Sequence, residues 1–295
     1  MKYEVESYRA RRGAEAIDDG ALMMDANMAP EAAAALAPSP FTIEVRFLGG
    51  LTNTQKNAFK TAAKRWTNVI VGDLPAFEVD GEVVDDILIL AQGAAIDGAG
   101  KVLGQAGPTR IRPANAGAAA FLPAKGKMIF DTADLAEMEK RGTLVDVITH
   151  EMGHVLGIGT LWKMKGLIAG SGTATPTFTG ANASREYATL TGNPAELLPL
   201  EESGGPGTAE GHWDEETFRN ELMSGFISSP NNPLSRMTVA SLQDLGYVVD
   251  MNAAEPYGLP FGLGITEEGA PVDALNLGES MLPVIPFELS DDSAR

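Results

Sequence analysis

The chain has 295 residues, 44% of them hydrophobic, enough for one two-lobed domain or two small ones and too apolar for global disorder. Forty acidic residues against 22 basic ones give a net charge of −18, and so acidic a surface repels phosphate backbones and anionic lipid heads, which speaks against nucleic-acid and membrane-surface roles. There is no cysteine, which excludes disulfides, thiolate nucleophiles and Cys-type zinc sites and leaves cytosol and exterior both open.

The start, Met1-Lys2-Tyr3-Glu4-Val5-Glu6, has no apolar h-region, so no secretory signal peptide is expected in the sequence as written. No apolar run reaches the roughly eighteen residues a membrane span needs. Residues 1–40 read as an N-terminal extension or prosegment, closed by Pro38-Ser39-Pro40. The globular part begins at Phe41, where Phe41, Ile43, Val45 and Phe47 alternate with polar residues as in a half-buried strand. Phe59, Ala62, Ala63, Trp66 and Ile70 then follow helical spacing, with Asn53 or Thr54 as the expected cap and Gly72 as the stop. Ile87 to Ala91 and Met128 to Phe130 read as buried strands, which implies at least one parallel pair. Residues 93–126, rich in Gly, Ala and Pro, read as largely loop.

A second helix is expected from Thr143 to about Leu156. Residues 163–211 show little periodicity, and a short helix is expected near Glu215. Another helix should run from about Arg236 to Leu245, capped by Ser235 and ended by Gly246. Residues 258–295 carry seven acids and one arginine and read as an extended or partly ordered acidic tail.

The chemistry concentrates in His150-Glu151-Met152-Gly153-His154. Residues four apart on a helix project from neighbouring turns of one face, so two imidazoles can close on one ion. Glu151 stands beside the first of them, where its carboxylate can take a proton from a water on the metal without coordinating. The plainer alternative is a pair of histidines on an amphipathic helix, since Val147, Ile148, Met152 and Val155 give that helix an apolar side. A catalytic zinc also needs a third protein ligand and an open position. That ligand could be a carboxylate, but the chain's one other histidine is His212, so all three histidines can be assigned to one ion.

His150, Glu151, His154 and Gly157 resemble the front of the elongated zinc motif of the metzincin clan, H-E-x-x-H-x-x-G-x-x-H. The final position of that motif is Thr160 here, which cannot replace an imidazole. This departure resembles the leishmanolysin family, in which a long insertion separates the glycine from the third histidine. Here the insertion would run from about Ile158 to Gly211. Gly204-Gly205 to His212-Trp213, then Glu221-Leu222-Met223, is similar to that family's third-ligand region and Met-turn. Leu234-Ser235 to Leu245-Gly246-Tyr247 is similar to its following helix.

The resemblance implies an α+β, metzincin-like zincin fold. An upper lobe (41–157) would hold a twisted mixed sheet and two helices. An irregular lower lobe (158–257) would carry the Met-turn and the C-terminal helix. It implies a zinc-dependent metalloendopeptidase with one catalytic Zn2+ on His150, His154 and His212, Glu151 as general base and Met223 beneath the metal. Protein or peptide substrates are the implied partners, and the exterior is the implied location. Gly225 and Phe226 stand where other metzincins place a tyrosine, so the group that stabilises the transition state is not named by the motif.

Two rival functions stay open: a zinc amidase acting on a non-protein amide, and an adhesion or binding module with a structural metal. Asp97, in Ile96-Asp97-Gly98, could join a calcium site but reads more simply as a turn aspartate. Asp146 could serve as an acceptor behind His150 but reads more simply as a solvated carboxylate.

Overall fold

The computed structural model describes residues 5–13, 40–203, 208–227, 229–260 and 275–295. Asp18, Asp19 and Asp25 of the extension, and Gly204-Gly205 of the third-ligand region, lie outside them. The architecture is α+β. One mixed sheet has the order β1-β2-β5-β7-β6-β13, with β14 also on β6. Its strands are β1 (Ser7–Arg11), β2 (Thr42–Phe47), β5 (Ile87–Ala94), β6 (Gly104–Ile111), β7 (Pro123–Asp131), β13 (Met281–Leu282) and β14 (Phe287–Glu288). The three strands β2, β5 and β7 run parallel, while β1 and β6 are antiparallel to their neighbours β2 and β7. A hairpin of β3 (Phe77–Val79) and β4 (Glu82–Val84) lies beside the sheet.

Side chains alternate across the sheet with period two. On one face Ile43, Val45, Ile87, Ile89, Met128 and Phe130 join the main core beneath helix α1 (Asn53–Val69) and helix α3 (Leu144–Val155). On the other, Leu88 and Ala124 pack with Phe77, Val79 and Val84 of the hairpin. The cap of α1 lies one residue before the first expected one, Asn53. Thr52 is its N-cap, closing a capping box in which Thr52 accepts from the Gln55 N–H and Gln55 accepts from the Thr52 N–H. α3 presses on the sheet where β7 has no side chain: a Cβ at Gly126 would come within 2.3 Å of Val155. Trp66 ties the two helices together by donating its indole N–H to the Thr149 carbonyl at 2.9 Å.

Three expectations for this half need correction. Residues 93–126 are not mostly loop, because β6 crosses them. Its Gly104, Gly107 and Pro108 hid a strand that approaches its neighbours closely; a Cβ at Gly104 would meet the Ile129 carbonyl oxygen at 2.2 Å. A third helix, α2 (Thr132–Arg141), fills the stretch between β7 and α3, capped by Asp131 and ended by Gly142 in the left-handed region. Residues 7–11, read as part of a peripheral extension, form the edge strand β1.

The lower half is less regular but not structureless. It contains a small sheet of β8 (Ile168–Ala169), β9 (Thr177–Phe178) and β10 (Leu198–Pro199), then helices α4 (Ala181–Thr191), α5 (Glu215–Phe218) and α6 (Arg236–Leu245). α6 has the cap and stop expected of it, Ser235 and Gly246. Trp162, Phe178, Tyr187, Trp213 and Phe218 form a chain of ring contacts with centroids 4.6 to 6.3 Å apart. Aromatic burial thus joins the long insertion to the main core. Past residue 274, β11 (Phe226–Ile227) pairs with β12 (Leu275–Asn276), and a short helix α7 (Leu277–Ser280) leads into β13. No helix among the described residues is long and apolar enough to cross a membrane.

Candidate metal centre

α3 carries His150, Glu151 and His154 on its buried side, and all three are at most 8% exposed. The helix holds its position at Gly153, where an added Cβ would lie 2.9 Å from the Met223 sulfur and 3.0 Å from the Trp66 ring. The Met223 thioether therefore packs against the turn that joins the two histidines. The chain leaves the helix through Gly157 at φ +110°, with the Ile158 N–H returning to the Gly153 carbonyl. Gly159 then touches Gly211 backbone to backbone: a Cβ at Gly159 would fall 2.0 Å from the Gly211 carbonyl oxygen. That contact sets His212 beside the helix.

Trp213 fixes the next residue. Its backbone N–H donates to the Met223 carbonyl at 3.1 Å and its indole N–H to Thr238 at 2.8 Å. Glu221 lies beneath the same turn, fully buried. It accepts from the backbone N–H groups of Met223 and Ser235 and from the hydroxyls of Ser235 and Thr238. Burial raises its pKa, and those four donors oppose the rise. Sequence reading did not single out Glu221 for this role; a buried-looking acid just before Met223 and fourteen residues before a helix cap was the available signal.

The three imidazoles converge. Their Nε2 atoms lie 2.9 Å (His150–His154), 3.0 Å (His154–His212) and 3.1 Å (His150–His212) apart. Each Nδ1 faces a backbone carbonyl: Leu222 at 2.7 Å for His150, Ile158 at 2.9 Å for His154, Thr208 at 3.0 Å for His212. A carbonyl can only accept, so each Nδ1 carries the proton and each Nε2 presents a bare lone pair. Three lone pairs aimed at one another have no hydrogen bond to share, and a cation between them is what this donor set suits. Tetrahedral zinc with Zn–N near 2.0–2.1 Å sets its donors about 3.3 Å apart, close to the spacing found.

Burial holds all three rings neutral: it pushes His150 far below its usual pKa, aided by the other two rings, and His154 and His212 to about 3 and about 4. The histidines form a possible metal-binding group, as do Asp73, Asp85 and Asp86 elsewhere among the described residues.

Beside the triad, Glu151 is 2% exposed, its Oε1 has no hydrogen-bond partner, and burial pushes its pKa up to about 8. It lines a cavity of about 640 Å³ together with His154, His212, Thr160 and Ala106. Thr160 donates its hydroxyl to the His154 carbonyl at 2.7 Å, so it braces the helix end.

Residues 119–265 match the family model of leishmanolysin. The match supports a leishmanolysin-like metallopeptidase. No curated protein matches it. The leishmanolysin-like stretch takes in α3, the insertion, His212 and α6, the region where the sequence resemblance was strongest.

The smaller expectations fare differently. Asp146 is neither solvated nor behind His150: it is 6% exposed, accepts from the Asn231 N–H at 2.7 Å and pairs with Arg65 at 3.5 Å. It ties α3 to α1 and to the loop after the Met-turn segment. Asp97 sits in a loop whose N–H groups, its own included, point at the Asp131 carboxylate. That loop presents donors there, whereas calcium requires oxygens.

Proposed function

We propose that this chain is a zinc metalloendopeptidase of metzincin-like fold, with a catalytic domain over residues 41–257. His150, His154 and His212 hold the metal, Glu151 is the general base, and Met223 is the apolar floor. The observation that carries the reading is the convergence of three proton-free Nε2 atoms next to a buried carboxylate oxygen, Glu151 Oε1, that no protein group uses. A structural metal would need no such acid.

Bound there, zinc supplies a Lewis acid that polarises a carbonyl and brings the pKa of a water to about 7. The Nδ1–carbonyl bonds keep the three rings in the ligating tautomer and fix their planes. Glu151 receives the proton of the attacking water at Oε1 and delivers it to the departing amine. The cavity that Glu151 lines, with Ala106 and Ile168 on its walls, leaves room beside the site for a substrate carbonyl.

The test is digestion of a mixed peptide library, read by mass spectrometry beside elemental analysis. The wild type should contain about one zinc and cut peptides internally, and a chelator should stop it. Glu151→Gln should keep its zinc while turning over about 10² to 10⁴ times more slowly, the usual worth of a general base. Near-full activity in that variant, or no zinc after reconstitution, would sink the assignment.

A further inference from the structure

The cavity containing Glu151 is walled in part by the chain's own C-terminal segment. Met281, Leu282, Pro283 and Val284 line it together with Glu151, His154 and His212. The segment begins on the lower half, where β12 pairs with β11 and the Leu277 N–H donates to the Gly225 carbonyl at 3.1 Å, two residues past Met223. It then crosses to the upper half. The Ser280 carbonyl accepts from the Leu103 N–H at 2.8 Å, β13 pairs with the start of β6, and β14 pairs with its end. Between these points Gln105 donates to the Pro283 carbonyl at 2.9 Å, and Val284 seats on Gly107, where a Cβ would come within 2.9 Å of its own.

β6 is the last long strand of the sheet, and its outer edge is where an extended peptide would add as a further strand. That edge is already taken. The hold is weak, however. Each paired stretch is two residues long and parallel, the less stable pairing, and Pro283 and Pro286 have no N–H to give. Leu277 is buried in the main core and anchors the base of the segment, whereas Ile285 is 81% exposed and Phe287 67%, so little apolar area fastens that later stretch down.

We propose that residues 281–288, which follow the anchored Leu277, are a displaceable strap that occupies the substrate edge of β6 and must leave before an extended peptide enters. This rests on the peptidase reading above and adds a means of regulating it.

The chain has no cysteine, so one engineered pair would form a single, reversible crosslink. Arg110 and Phe287 are register partners, with the guanidinium 5.6 Å from the ring centroid. The full-length, zinc-loaded double variant Arg110→Cys, Phe287→Cys is oxidised, checked by mass, and compared with itself after reduction by a phosphine. Locking removes the open population, so the oxidised form should cleave the peptide library at least about tenfold more slowly and bind a peptide hydroxamate at least about tenfold more weakly by calorimetry. Zinc content should be the same in both states. A second full-length variant, Val284→Asp, loosens the seat on Gly107 and should cleave several-fold faster than wild type.

Equal cleavage and equal hydroxamate affinity in the two redox states would overturn the strap and leave the peptidase reading standing. If no form cleaves, wild type included, the peptidase reading falls instead, and the hydroxamate affinities still decide the strap. A cysteine pair that will not close would contradict the register on which the strap depends.

Discussion

In the upper half, the backbone groups of β2, β5 and β7 are satisfied by strand ladders, and the apolar faces between those strands and α1 and α3 form the core. In the lower half, the strands are two residues long and buried or half-buried carboxylates take over as acceptors. Glu221 serves the Met-turn and the start of α6. Asp244 accepts from the backbone of Asn182 and Ala183 at the start of α4. Glu201 accepts from the Ser203 and Glu215 N–H groups. Every buried N–H needs an acceptor, and where no neighbouring strand offers one a side chain must. The upper half uses the same device in fewer places, as at Asp131 and at Asp86, which accepts from the N–H groups of Thr42 and Leu74. Two of the three histidines therefore stand on a helix that local forces form, and the third depends on a scatter of polar nodes and ring contacts.

The sharpest way to break this comparison is at the proposed ligands. His212→Ala should weaken zinc affinity by more than about 100-fold, since loss of a mere supporting partner already costs 10–100-fold, and should abolish proteolysis. Thr160→Ala, which removes only the brace on the His154 carbonyl, should leave zinc affinity nearly unchanged. Competitive zinc titration of both variants beside the parent decides it. Wild-type affinity in His212→Ala would refute the assignment.

A smaller effect is expected at Glu221, the node beneath the Met223 turn. Glu221→Ala strands the buried N–H groups of Met223 and Ser235 and should cost about 2–4 kcal/mol of stability. It should also lower zinc affinity, because Leu222, whose carbonyl orients His150, lies between Glu221 and Met223. Denaturant melts paired with zinc titration test this. A loss of stability with zinc affinity intact would confine Glu221 to folding.

The smallest effect belongs to the upper half. Burial pushes the Asp131 carboxyl up, but the N–H groups of Ala133, Ile96, Gly98 and Asp97 pull it down further, to about 2. A depressed folded-state pKa contributes stability that is present above the usual carboxylate range and is lost as pH falls through about 2. Asp131→Asn should cost about 1–2 kcal/mol at neutral pH, in line with hydrogen bonds to a charged acceptor. The gap to wild type should shrink as pH drops from about 4 toward 2, and zinc affinity should not change. Thermal melts across that range would show it. A constant gap would mean that charge is not what Asp131 contributes.

Legibility in the sequence follows the same divide. The strand 42–47, α3 and α6 could be read because alternation, helical spacing and end residues such as Ser235 and Gly246 are short-range signals. β6 could not, because its glycines and proline have the composition of a loop and are admitted to a strand only by close contact with β7 and the strap. α4 and the small sheet of the insertion were missed for a related reason: their apolar residues meet an aromatic cluster drawn from distant segments, and no single stretch repeats with a period. Asp146 was misjudged because its partners, Arg65 and Asn231, lie 81 and 85 residues away.

By itself the sequence determined a helix that places His150 and His154 on one face with Glu151 beside them, and it left one further histidine to join them. Both follow from local hydrogen bonding and from a count of side chains. Only the tertiary structure decided that His212, 58 residues beyond His154, comes within 3.0 Å of it, and that all three Nδ1 atoms find carbonyls. The same holds for the last strands of the chain, which lie along β6 at the cavity. Contacts of that range are set by the closure of long loops against packed rings and buried carboxylates, a sum over many distant residues that no local pattern records.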